Sequence, residues 1–131
     1  MSFAGDIGRF NTKVQKEFVE VKKRAAFGLF SAIVMDTPVD KGVLRNNWQM
    51  QFNSSADNTL TEGDMSGSGV LSRLKINLEN ATPVNSIFFT NNLSYAKPIE
   101  YDGWSLMAPQ GMLRVNLVRW PQIVQLSMRK L

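Results

Sequence analysis

The first third of the chain constrains its fold most, because apolar residues return there every three or four positions and then stop. Ile7, Phe10, Val14, Phe18, Val21, Ala25, Leu29 and Ile33 trace one stripe, the spacing of a single helix face. Lys13, Lys16, Glu17, Glu20, Lys23 and Arg24 fall largely between them, on the wet side. The pattern predicts an amphipathic helix from Gly5 to Met35, about 45 Å long at ~1.5 Å per residue. Gly28 costs about 1 kcal/mol against alanine without stopping it. Asp36, Thr37 and Pro38 end it, because the residue before a proline is pushed out of the α region. Such a helix is longer than a domain of 131 residues needs to cover its own sheet. Part of it is therefore expected to touch something outside its own domain.

Beyond the stop, the stretch DTPVDKGVLRNNW at 36–48 is polar and broken, and Pro38 and Gly42 turn the chain there. Asp40 and Arg45 are expected to pair with each other or with local backbone groups. Trp48, Met50 and Phe52 then alternate with Gln49, Gln51 and Asn53, as in a half-buried strand. Residues 53–70, NSSADNTLTEGDMSGSGV, read as a loop by composition. Leu60, Met65 and Val70 are too few apolar residues to anchor it, which predicts a mobile segment that becomes an arm on assembly. Leu74, Ile76 and Leu78 alternate with Arg73, Lys75, Asn77 and Glu79, and predict a second strand. A turn at Asn80–Pro83 leads to a third, Ser86–Asn91, with Ile87, Phe88 and Phe89 toward the core. Residues 92–111 are irregular and aromatic-rich, and a last helix interrupted at Pro121 follows.

The predicted architecture is thus one α+β domain over 1–131. A long N-terminal helix and a C-terminal helix pack on a three- to four-stranded antiparallel sheet, with a long strand-connecting loop. Its parts are a helix at 1–36, a corner at 37–47, strands within 48–91 around the loop 53–70, the irregular segment 92–111 and the helix 112–131.

Composition narrows the chemistry. Neither histidine nor cysteine occurs, so the usual general base near neutral pH and the thiolate metal sites are both missing. Asp36 with Asp40, and Glu100 with Asp102, are paired carboxylates without a third ligand in spacing, and read as turn and helix-end residues. GDMSGSG at 63–69 lacks the lysine of a phosphate loop. No enzyme, metal or cofactor is expected. No apolar run approaches the ~20 residues of a membrane span, and MSFAGDIGRF lacks the charged-then-apolar pattern of a secretion signal.

Charge is unevenly placed within a net +4. Residues 53–70 carry Asp57, Glu62 and Asp64 without a base, whereas 111–131 carry Arg114, Arg119, Arg129 and Lys130 without an acid. That asymmetry fits nucleic acid, or copies of the chain meeting through opposite charges. In the second case Arg119 or Lys130 of a neighbour faces the three acids. Tyr95, Tyr101 and Trp104, beside Glu100, read either as interface anchors or as a cap over one end of the sheet.

Two segments resemble a known family. TPVDKGVLRNNW at 37–48 is similar to the corner Thr-Pro-Val-Asp-Thr-Gly-x-Leu-Arg-x-Ser-Trp of the tail-completion, or neck, proteins of long-tailed bacteriophages. FTNNLSYAKPIEYDGWSLMAPQGMLR at 89–114 is similar to their run Asn-Asn-x-x-Tyr-Ala-x-x-Ile-Glu-Tyr-Gly and the proline–glycine lead into a final helix. Thr37, Pro38, Val39, Asp40, Gly42, Leu44, Arg45 and Trp48 match, as do Asn91, Asn92, Tyr95, Ala96, Ile99, Glu100 and Tyr101. Lys41 and Asn47 depart from the pattern, and Asp102 stands before Gly103 where the family has glycine directly. The resemblance implies a structural minor tail protein of the virion, assembled in the host cytoplasm and without catalysis. It implies a ring of copies at the head-proximal end of the tail, joined to other neck and tail proteins and to the head connector. Phage DNA would pass through the lumen without sequence preference. Six copies are expected, since tail tubes of such phages are sixfold, with three and twelve left open. Thr37, Pro38, Asp40, Gly42, Arg45 and Trp48 become a structural corner. The alternative is a nucleic-acid-binding accessory protein that uses its basic terminal segments.

Overall fold

Ser2 opens the first helix by accepting a hydrogen bond from the Gly5 amide at 3.1 Å, the usual role of a serine cap. A computed structural model describes residues 2–129. In it α1 runs unbroken from Phe3 to Asp36. Thr37 leaves the helix in an extended conformation, φ −71° and ψ 128°, as its position before Pro38 requires.

A one-turn helix α2 (Val43–Asn46) follows, entered through Gly42 in the left-handed region at φ 82°. Strand β1 (Trp48–Phe52), helix α3 (Ser68–Leu78), strand β2 (Ile87–Asn91) and the short helix α4 (Ala96–Tyr101) come next. The chain ends in α5 (Arg114–Leu117) and α6 (Trp120–Arg129). The expected interruption near Pro121 is the break between these two helices. Pro121 lies in the first turn of α6, where a missing backbone N–H leaves no bond unmade.

Among the described residues the sheet has two antiparallel strands, with Trp48 opposite Asn91 and Phe52 opposite Ile87. The α+β class and the two terminal helices agree with the sequence reading. The expected second strand does not, because Leu74, Ile76 and Leu78 lie in α3, and the three- to four-stranded sheet is reduced to β1 and β2. Val70, Leu74 and Leu78 are at most 2% exposed, whereas Ile76 is 67% exposed. The helical period i, i+4, i+8 decides here, and the alternation of Leu74, Ile76 and Leu78 is incidental. Phe88 also departs from expectation: it is exposed, while Ile87 and Phe89 pack on the core.

That core gathers Leu29, Phe30, Ile33 and Val34 of α1 around Leu44, Trp48, Met50, Val70, Leu74 and Met112. Phe30, Phe89 and Trp48 form a continuous ring stack, with centroids 4.1 Å and 4.8 Å apart. The outer half of α1 takes no part. Phe3, Ile7, Phe10, Val14 and Phe18 are between 45% and 79% exposed, so the apolar stripe continues past the body into solvent.

Residues 53–67 are stitched to their own chain rather than left without anchors. Asn47 brackets Leu60, donating to its carbonyl at 2.8 Å and accepting from its amide at 2.7 Å. Asn46 donates to the Glu62 carbonyl at 2.9 Å, Gln49 to that of Asn58 at 2.9 Å, and Asn92 to that of Ala56 at 2.8 Å. The loop backs onto the corner so closely that a Cβ on Gly63 would lie 2.0 Å from the Lys41 carbonyl oxygen. Side-chain amides, not apolar residues, supply the anchors.

Candidate functional site

The corner is organised by one buried cation. Arg45 Nε donates to the Val34 carbonyl at 3.0 Å, and Nη2 donates to the carbonyls of Met35 at 3.0 Å and Thr37 at 3.1 Å. Nη1 donates to the Met65 carbonyl at 2.6 Å. Three of these acceptors belong to the C-terminal end of α1, where carbonyls lack helical partners and a positive charge is favoured. The fourth ties down the loop. Asp40 is exposed and takes no part, so of the two expected arrangements Arg45 adopts the bonding to backbone.

Thr37 links the other corner residues. Its hydroxyl donates to the Ile33 carbonyl at 2.7 Å and accepts from the Trp48 indole N–H at 2.8 Å. Asn91, in the second resembling segment, donates to the Leu44 carbonyl at 2.9 Å. The two segments therefore meet in one joint.

Glu100 performs a similar task for the end of the chain. It is 5% exposed, and its carboxylate accepts from the amides of Met112 at 2.6 Å, Leu113 at 2.8 Å and Arg114 at 2.8 Å. The Arg114 guanidinium adds a bond from Nε at 3.1 Å and lies 4.6 Å from the Tyr101 ring centroid. Burial pushes the Glu100 pKa up, but the three amides and the guanidinium outweigh it, so the net shift is downward from 4.5. A carboxyl lowered in the native state stabilises the fold fully above 4.5, and that contribution is lost as pH falls through its native value. In urea titrations, Glu100→Gln is expected to be less stable than wild type near neutral pH. The gap should narrow as pH falls below 4.5. A gap independent of pH would exclude the ionised carboxylate as its source.

The remaining interface candidates divide. Asp57 and Glu62 are exposed, and so are Tyr95, Tyr101 and Trp104. Arg119 is exposed too, with Nη1 3.4 Å from the Asn116 amide oxygen. Asp64 instead accepts from the amides of Gly67 at 3.1 Å and Val70 at 2.9 Å, capping α3. Glu100 is buried and engaged within its own chain. Both are thereby withdrawn from the set open to a neighbour, and Lys130 lies outside the described residues.

The sequence reading missed the surface that the joint creates. Pro38, Val39 and Val43 of the corner and Tyr95, Trp104 and Leu106 of the second segment line a groove of about 620 Å³. Leu106 is 97% exposed at its rim. The only available signal was a pair of large apolar residues, Leu106 and Met107, in a segment with no periodicity. Among the described residues, no three acidic side chains converge as a metal site, and no helix is long and apolar enough to cross a membrane. No protein-family model, curated protein or solved structure matches the chain.

Proposed function

We propose that this protein is a structural subunit of a tailed-phage neck, a tail-completion protein that works as a ring of copies, six by expectation. The ring sits at the head-proximal end of the tail and joins it to the head connector. The observation that carries this reading is that the two resembling segments, distant in sequence, close on each other and together line one apolar groove. Their polar side chains bond backbone groups and hold the groove's shape, while Trp104, Leu106 and Met107 stay bare beside it. An exposed apolar patch of this kind suits a protein contact. A contact between unlike surfaces of identical subunits closes into a ring when the rotation permits.

The nucleic-acid alternative has less support. Arg114 is engaged with Glu100, and on α1 Arg24 lies 3.1 Å from Glu20 and Lys13 4.0 Å from Glu17. DNA titrations are expected to show weak binding without sequence preference. Tight binding with a steep salt dependence would favour the alternative.

Particle-averaged images of the purified protein and of virion necks test the main reading. Rings are expected from the wild type, and none from Leu106→Asp or Trp104→Ser, both of which change exposed residues and should melt like wild type. Rings formed equally well by these variants would remove the groove from the contact. Necks lacking the protein would sink the function.

A further inference from the structure

We propose that the projecting half of α1 pairs with the same segment of a second copy, antiparallel and about a twofold axis. Residues 3–18 leave the body, and all but the half-buried Gly5 are exposed. An isolated helix of that length is marginal in water, and Gly5 and Gly8 weaken it further. It therefore needs a covering partner.

Its sequence specifies one. Phe3, Ile7, Phe10 and Val14 follow each other at steps of four, three and four, the seam of a two-helix coil. In an antiparallel pair Phe3 meets Val14 of the second copy and Ile7 meets its Phe10, and the twofold repeats both layers. Asp6 and Lys13 occupy the equivalent flanking position one heptad apart. In this register each Asp6 faces Lys13 of the other copy, giving two ion pairs of opposite sign. A parallel pair would instead set Asp6 beside Asn11 and Lys13 beside Phe18, so that neither charge, each bridged within its own chain to Arg9 or Glu17, would gain a partner across the contact.

Length agrees with the same register. Ser2 of one helix reaches the level of Gln15 of the other, one turn before Val19, where α1 begins to be covered by its own body. The two bodies then sit at opposite ends of the pair. This contact uses a surface separate from the groove. It is tested on the free protein, so its failure and the failure of the ring reading are distinguishable.

Sedimentation equilibrium across the micromolar range is expected to show a dimer for the wild type. Phe10→Asp should give a monomer whose body remains folded, with any loss of helix confined to the projecting half of α1. Asp6→Lys and Lys13→Asp should each weaken association by about tenfold or more, and the double variant should restore it. Since the chain has no cysteine, Ile7→Cys mixed with Phe10→Cys should cross-link, while neither should link to itself. A monomeric wild type, a double variant no better than the single ones, or self-linking by Ile7→Cys would overturn the pairing. A stripe that stays monomeric and is protected only in assembled rings would assign it to a neighbour's groove instead.

Discussion

Replacing Trp48 with alanine is expected to lower the unfolding free energy by about 3–5 kcal/mol, the range for truncating a core aromatic. Trp48 is 5% exposed and stacks on Phe89, which stacks in turn on Phe30 of α1. Removing the indole opens a cavity at the end of that stack, between the long helix and the sheet. It also takes the donor from the Thr37 hydroxyl, at the point where the chain leaves α1. Trp48→Phe separates the two losses. It keeps a ring in the stack but forfeits the hydrogen bond and part of the buried indole volume, so it should cost less than the alanine variant, about 1–3 kcal/mol. Urea unfolding followed by far-ultraviolet circular dichroism measures both. If the alanine variant unfolded at the wild-type midpoint, the corner would not be packed as described.

How much of this was legible depended on which interactions carry each segment. Apolar periodicity marks α1, and Pro38 marks its end, because sterics at that position are local. The same holds for β1 and for the break before α6. The register of α3 was less accessible. Leu74 and Leu78 satisfy both a period of two and a period of four; the exposure of Ile76 decides between them, whereas Val70, buried one turn earlier, fits either. That residue follows Gly67 and Gly69, in a stretch whose composition reads as loop.

The loop itself escaped for a different reason. Its order comes from long-range amide bonds to Asn46, Asn47, Gln49 and Asn92, and polar side chains give no periodic signal. Glu100 shows the same limit. The resemblance picked it out, but its role as acceptor for three amides near Arg114 requires knowing that the chain folds back. Motif residues with local tasks, Pro38 and Gly42 among them, were readable. Those whose partners are distant backbone groups were not.

Arg45 is where that distinction has its second large consequence. Arg45→Met, which keeps most of the side-chain bulk, is expected to cost about 3–5 kcal/mol, since it strips a charged donor from four carbonyls in a site where water is scarce. Bonds from charged donors contribute about 1.5–3 kcal/mol each, and four sharing one guanidinium cannot add fully. Arg45→Lys should rescue little, because one ammonium cannot span acceptors on Val34, Thr37 and Met65. Asp40→Ala, by contrast, should be nearly neutral and additive with Arg45→Met in a double-mutant cycle, as Asp40 lies outside the cluster. The clearest signature lies away from the mutated position. Met65 and the loop residues before it are held to the corner partly through Arg45, so amide exchange across residues 60–67 should accelerate in Arg45→Met beyond the change in global stability. Uniform acceleration throughout the chain would make Arg45 a cap for α1 alone. A loss below about 1 kcal/mol would mean that water replaces the guanidinium at these carbonyls.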